Sequence, residues 1–155
     1  MFMVQALEQA LQAFRSEEVP VGAVIVNRAT RTVLTSAYNQ VEKTANPIYH
    51  AEIIAINQAC NLLGSKYLYG HDIYVTLEPC TMCATALAYA RVDRIFFGAY
   101  DKKFGALENG VRLFYNTVIY HKPEIYGGIM ELQSKKLLQK FFDNLRKKNK
   151  QIILS

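Results

Sequence analysis

Residues 73–89 read IYVTLEPCTMCATALAY. The first five residues are rich in β-formers and predict a strand, and Pro79 then opens a predicted helix that continues to about Tyr89. Proline is tolerated at a helix start because its missing N–H would have no partner there. The i, i+3 spacing of Cys80 and Cys83 on the first turn of this helix brings both sulfurs to one face.

A second motif, HAE at residues 50–52, stands at the start of another predicted helix, which runs from His50 to Leu63 and stops at Gly64. Two helix N-termini can therefore face one centre, where their dipoles favour thiolates. A lone His-x-Glu carries no information, and a lone Cys-x-x-Cys is often a redox pair or part of a closed structural site. The two motifs together are far more specific and predict a single metal centre.

Zinc favours imidazole nitrogen and thiolate sulfur in tetrahedral geometry, so we predict a zinc ion held by His50, Cys80 and Cys83. The other two histidines, His71 and His121, do not stand at ligand spacing from this group. Three protein ligands leave a fourth position for water, which is typical of a catalytic zinc and not of a structural one. Zinc lowers the pKa of such a water to about 7.

Glu52 lies two residues from His50, close enough to face this water without ligating the metal. A carboxylate there can take a proton from water and hand it to a leaving amine. His-x-Glu combined with Pro-Cys-x-x-Cys is the signature of zinc nucleobase deaminases, and this chain carries both parts. We therefore predict a zinc-dependent hydrolase in which Glu52 is the catalytic acid and base.

The rest of the chain alternates between helical and strand patterns. The further predicted elements are a helix over 3–14, strands over 19–26, 32–38 and 94–97, and a C-terminal helix over 131–148. Residues 100–123 show no clear pattern. This order predicts an α/β sandwich with a mixed sheet between helices. The length suits one domain, which we expect to span residues 1–155.

Composition excludes several classes of protein. With 51% hydrophobic and 20% charged residues, the chain is not of a disordered type. No apolar run approaches the roughly 18 residues of a membrane span, and Glu8 interrupts the first apolar stretch, which argues against a signal peptide. We therefore expect a cytoplasmic protein without membrane contact. Three cysteines argue against a disulfide framework, which leaves metal or redox chemistry for the Cys-x-x-Cys.

The net charge of +5 is concentrated near the C-terminus, in the predicted last helix. The basic residues of this stretch are Lys135, Lys136, Lys140, Arg146, Lys147, Lys148 and Lys150. Such a stretch is usually a solvated helix face, and a basic pI points to nucleic acid only where the charge clusters, as it does here.

Two stretches include or adjoin the motifs, HAEI at 50–53 and YVTLEPC at 74–80, and two others lie elsewhere in the chain, EVPVGAV at 18–24 and LLQKFF at 137–142. With these stretches the chain resembles the bacterial tRNA adenosine deaminases, which convert the wobble adenosine of tRNA to inosine, over nearly its full length. The resemblance implies a cytidine deaminase-like fold, a three-layer α-β-α sandwich with a mixed sheet of about five strands. It also implies a homodimer in which the partner chain helps to build each pocket.

The same resemblance implies roles for five further residues. Asn39 matches the family asparagine that hydrogen-bonds the flipped-out base. Asp101 and Lys103 match a loop that contacts RNA near the target nucleotide. Phe142 and Arg146 match the C-terminal helix that lines the RNA side. We therefore expect the basic stretch to contact RNA, with the tRNA anticodon loop as the partner.

Two alternatives exist on the same fold: a deaminase of a free nucleobase or nucleoside, such as guanine or cytosine, and a zinc-bound scaffold without activity. The intact Glu52 argues against the scaffold, and Asn39 together with the RNA-contacting loop favours tRNA over a free base. The chain departs from the family pattern at Tyr49, Phe104 and Tyr120. These departures bear on the substrate because pocket shape sets the choice of base.

Overall fold

A computed structural model of the chain describes residues 1–116 and 118–153, and in these residues six helices and five strands follow one another. The helices are α1 Phe2–Arg15, α2 Val41–Thr44, α3 Ala51–Leu63, α4 Thr81–Tyr89, α5 Leu113–Asn116 and α6 Glu131–Ile153. The strands are β1 Gly22–Asn27, β2 Thr32–Tyr38, β3 His71–Leu77, β4 Arg94–Ala99 and β5 Glu124–Tyr126.

The five strands form one mixed sheet in the order β2-β1-β3-β4-β5. Strand β1 is antiparallel to both β2 and β3, whereas β4 is parallel to both β3 and β5. Because β3 and β4 are parallel, their carboxyl ends meet at one edge of the sheet, and the Cys-x-x-Cys segment follows β3 there. The predicted mixed sheet of about five strands is confirmed.

Both faces of the sheet are covered, so its central strands are buried on both sides. In β1, Ala23 and Ile25 belong to the core cluster beneath α3 and α4. The alternate residues, Val24 and Val26, pack with Met3 of α1 in a second cluster. Helix α6 contacts β3, β4 and α1, which places it in the α1 layer. The three-layer α-β-α sandwich is therefore confirmed.

The last helix begins at Glu131 as predicted but continues to Ile153, beyond the predicted end at residue 148. Its added residues are mostly Lys, Asn and Gln, which a solvent-exposed helix accommodates. The helix is held to α1 partly through the rings of Phe14 and Phe141, whose centroids lie 6.1 Å apart. In the described part of the chain, no helix combines the length and apolar character needed to cross a membrane.

Three details differ from the prediction. The prediction assigned no element to residues 124–126, yet they add β5 to the sheet by pairing with β4. Short helices α2 and α5 lie in stretches for which no helix or strand was predicted. Strand β3 begins two residues earlier than predicted, at His71, which pairs with Asn27 of β1 and is only 6% exposed.

Candidate active site

The two predicted motifs meet at the amino ends of α3 and α4. His50 is the N-cap residue of α3 and Cys80 is that of α4, and both have extended backbone angles that turn the chain into its helix. The Nδ1 atom of His50 lies 3.5 Å from Sγ of Cys83 and 3.7 Å from Sγ of Cys80. The structure thus brings the three predicted ligands together, although they are about 30 residues apart in sequence.

These distances fit a tetrahedral zinc ion. Ideal Zn–S and Zn–N bonds of about 2.3 and 2.05 Å at a tetrahedral angle place nitrogen and sulfur about 3.6 Å apart. The ligand atoms of His50, Cys80 and Cys83 all lie within 4.8 Å of one another. Among the described residues, this is the one group of histidine, cysteine and acidic side chains with a metal-binding arrangement.

The electrostatics of the group favour a thiolate at Cys80. Hydrogen bonding from the Cys83 thiol, opposed by burial and reinforced by the His50 ring, lowers the pKa of Cys80 to about 4. The hydrogen bond between the His50 ring and Cys80 raises the pKa of His50. The N-cap positions of two helices add partial positive charge at the site, which favours thiolate.

Glu52 lies in the first turn of α3, beside the ligand group, and is 4% exposed. Its Oε2 atom has no hydrogen-bond partner in the described structure, an arrangement that is rare for a buried acceptor. Burial raises the pKa of Glu52 to about 7. A buried carboxyl group with one oxygen free of hydrogen bonds from the described residues, and with a pKa near neutral pH, is suited to proton transfer.

A pocket of about 400 Å³ opens above this group. Its lining includes Asn39, His50, Glu52, Cys80 and Asp101, so five of the nine predicted site residues share one cavity. A sixth predicted residue, Cys83, is fully buried, and its Sγ atom lies with the predicted ligand atoms of His50 and Cys80.

The remaining three predicted residues do not line the pocket and lie at the surface. Lys103 is exposed, with its Nζ atom 4.9 Å from the ring centroid of Phe104. Phe142 is 41% exposed on α6, and the guanidinium of Arg146, one turn later, pairs with Asp143. The structure thus separates these three side chains from the reaction centre.

The three departures from the family pattern have different surroundings. Phe104 lines the pocket although its side chain is 63% exposed, so it can affect the choice of base. Tyr49 is partly buried and packs against the main core cluster. Tyr120 is 94% exposed and does not line the pocket.

One wall of the pocket depends on Glu18, a residue that the sequence reasoning did not assign. This carboxylate is fully buried and accepts hydrogen bonds from the backbone N–H groups of Glu42 and Lys43, at 3.2 and 2.7 Å. It also accepts from Nδ2 of Asn39 at 3.3 Å, which fixes the orientation of that amide. In the sequence, the only feature that could have indicated this role of Glu18 is its position directly before the apolar run at 19–26.

Another wall of the pocket depends on Glu78, which is 2% exposed. The sequence had not indicated a role for this carboxylate either. It accepts hydrogen bonds from the loop that runs from Asp101 to Asn109. Burial alone would raise the pKa of Glu78, but hydrogen bonds from Asn109 and from the backbone of this loop bring the pKa below its ordinary value. Within the loop, Asp101 Oδ1 accepts from the N–H groups of Lys103 and Phe104.

Residues 1–99 match the model of the cytidine and deoxycytidylate deaminase zinc-binding region. The tRNA-specific adenosine deaminase of Rickettsia felis is 53% identical over 144 residues, which cover 93% of this chain and all of the relative. The chain belongs to the tRNA-specific adenosine deaminases of this zinc-binding family. It is therefore a hydrolase of the deaminase class, as the motifs predicted.

Solved structures agree with this membership. A tRNA:A34 deaminase, solved in a study of A-to-I editing at the wobble position of transfer RNA, aligns with a TM-score of 0.85 and 44% identity. The alignment covers 88% of this chain and 98% of that one. The guanine deaminase of Nitrosomonas europaea aligns over 90% of this chain and 81% of its own, with a TM-score of 0.78. At 19% identity, that likeness shows a shared fold alone.

Proposed function

We propose that this deaminase hydrolyses the wobble adenosine of a tRNA anticodon loop to inosine and ammonia. The observation that carries the proposal is the buried carboxyl of Glu52, whose Oε2 atom has no hydrogen-bond partner among the described residues, beside the three ligand atoms in a pocket that Asn39 also lines. The relatives named for tRNA-specific adenosine deamination support the choice of substrate.

We propose that His50, Cys80 and Cys83 hold one zinc ion, because their spacing and donor set match zinc. When bound, zinc supplies a Lewis acid that lowers the pKa of a coordinated water to about 7. Three protein donors would leave a fourth position for water, and Glu52 lines the same pocket as His50 and Cys80.

Glu52 moves the protons of the reaction. Its carboxylate accepts a proton from the attacking water as the water oxygen forms a bond to purine C6. It delivers this proton to N1 of the base, then takes the second proton from the hydroxyl on C6 and delivers it to the exocyclic nitrogen. The bond from C6 to the exocyclic nitrogen breaks, a carbonyl forms at C6 and ammonia leaves. One water is consumed and one ammonia is formed for each inosine. A pKa of about 7 lets the same group accept and release a proton near neutral pH.

The base must leave its stack to enter the pocket, and an anticodon loop is already unpaired, which lowers that cost. Asn39 lines the pocket and would hydrogen-bond the base. Its Nδ2 atom donates to Glu18, so its Oδ1 atom is turned away from that carboxylate and is available as an acceptor.

RNA around the target base is proposed to contact Asp101 in the pocket lining and three residues at the surface. Asp101 would accept from a ribose hydroxyl, and Lys103 with Arg146 would meet phosphates. Phe142 would offer an exposed ring on α6 to the RNA. A tRNA substrate also implies that the enzyme acts in the cytoplasm.

We further propose that the chain forms a homodimer. Several large apolar side chains on and next to α3, α4 and α5 are exposed in the single chain, and exposed apolar surface of this extent often marks a protein interface. They are Ile48, Leu62, Leu63, Tyr89, Val111 and Tyr115.

A substrate competition tests the proposed function. The enzyme is offered an anticodon stem–loop with a wobble adenosine, in parallel with free adenine, guanine and cytosine, at low and moderate salt. Inosine in the RNA, with binding that weakens as salt rises, is the expected result. Rapid ammonia release from free guanine or cytosine, with the RNA untouched, would replace the proposal with a free-base deaminase.

A further inference from the structure

Glu78 is a buried acid for which the proposed chemistry has no use. Its two oxygens accept five hydrogen bonds from one loop, the segment from residue 101 to residue 109. Oε1 accepts from the backbone N–H groups of Leu107, Glu108 and Asn109 at 3.2, 2.8 and 3.0 Å. Oε2 accepts from the N–H of Asp101 at 3.1 Å and from Nδ2 of Asn109 at 2.7 Å. A single carboxylate therefore holds both ends of the loop.

This loop is the pocket wall that carries Asp101 and Phe104, two residues that line the cavity. The loop is also joined to the ligand segment, because the N–H of Ala106 donates to the carbonyl of Pro79 at 3.0 Å. Gly105 lies so close to the Glu78 carboxylate that a Cβ atom there would come within 2.5 Å of it. The loop is therefore packed directly onto the acid, without an intervening side chain.

We propose that Glu78 is a positioning residue for the RNA substrate: it fixes the 101–109 loop so that Asp101 and Lys103 meet the nucleotides around the target base. The inference rests on the proposed function, since it assigns the loop to RNA. Asp101 and Lys103 are proposed to contact the nucleotides around the target base and not its reacting atoms, so these contacts should be equal in the ground and transition states. Loss of their position should therefore raise KM and change kcat little.

Glutamine cannot replace Glu78 in this role, although it has nearly the same shape. All five groups that surround the carboxylate are donors, and a glutamine side chain offers one acceptor oxygen and one NH₂ group. Whichever way the amide is turned, at least one backbone N–H of the loop faces another donor. A buried donor without a partner is costly, so the loop should shift or loosen.

The test compares Glu78→Gln with Glu108→Gln in the full-length, zinc-loaded enzyme. Glu108 lies in the same loop with its side chain exposed, so its substitution removes the same charge near the RNA and leaves the five bonds in place. Zinc content, kcat and KM for the anticodon stem–loop, and hydrogen exchange of the 101–109 amides are measured for each. For Glu78→Gln we expect unchanged zinc, faster exchange in the loop and a KM raised about tenfold. Glu108→Gln should match the wild type.

An unchanged KM in Glu78→Gln despite faster exchange would overturn the proposal. So would a fall in kcat that follows zinc loss while KM stays intact, because that pattern belongs to a purely structural residue. Should Glu78→Gln fail to fold, Asn109→Ala removes only the 2.7 Å side-chain donor and should raise KM in the same direction by less. A wild-type enzyme that leaves the RNA untouched would refute the proposed function instead, and the exchange comparison would still decide whether Glu78 holds the loop.

Discussion

Substitution of Glu52 by glutamine separates the proton-transfer role from the metal site. Glutamine keeps the volume of the side chain but cannot accept and release a proton. Loss of a positioned acid–base group typically lowers the rate by about 10² to 10⁴, which corresponds to about 3 to 5 kcal/mol in the activation barrier. We expect kcat for the anticodon stem–loop to fall by this amount, with about one zinc still bound per chain.

The burial of Glu52 adds an expectation about stability. Wild-type Glu52 is 4% exposed and holds an Oε2 atom without a partner, which costs the fold on the order of 1–3 kcal/mol. A neutral amide costs less to bury than a carboxylate. The free energy of unfolding of zinc-free Glu52→Gln, measured in urea, should therefore equal or exceed that of the zinc-free wild type.

The assay needs kcat, zinc content and the unfolding curve on the same preparations. Glu8→Gln, an exposed acid on α1, is the matched control and should behave as the wild type in all three. Near-normal turnover by zinc-replete Glu52→Gln would refute the proton-transfer role. Loss of zinc in parallel with activity would show that Glu52 supports the metal site instead.

The remaining predictions concern the metal, the RNA and the assembly. Elemental analysis should find about one zinc per wild-type chain and little in Cys83→Ser, whereas the control Cys60→Ser should keep the metal. Full zinc retention in Cys83→Ser would show that Cys83 is not a ligand. Arg146→Ala should weaken RNA binding and lower the slope of log affinity against log salt by about 0.7 if it meets one phosphate, and an unchanged slope would exclude that contact. Sedimentation of the wild type at micromolar concentration should give twice the 17.6 kDa chain mass. The double variant Leu62→Asp, Tyr89→Asp should give a lower mass. A monomeric wild type would contradict the dimer.

The proposed ligand set could be predicted because each of its two motifs is local, although the fold brings His50 to the cysteines. Cys80 and Cys83 are three residues apart at a helix start, and helical periodicity fixes their relative direction whatever the rest of the fold does. Glu52 follows His50 by two residues on a second helix start. The long helices and most strands were also predictable, since their apolar periodicity extends over many residues. Strand β5 was not, because three residues show no period and the strand depends on its pairing with β4.

The two pocket walls depend on contacts between residues that are far apart in the chain. Glu78 bonds to Asn109, 31 residues later, and Glu18 bonds to Asn39, 21 residues later. No local pattern distinguishes such an acid from one at the surface, because burial and hydrogen-bond partners are set only when the elements pack. The sequence by itself predicted the proposed metal ligands, the proposed proton-transfer residue and most of the helices and strands, because the spacing within each motif and element is short-range. Only the tertiary structure decided which acids became buried acceptors, and hence which loops form the pocket, because a buried carboxylate must find donors wherever the fold brings them.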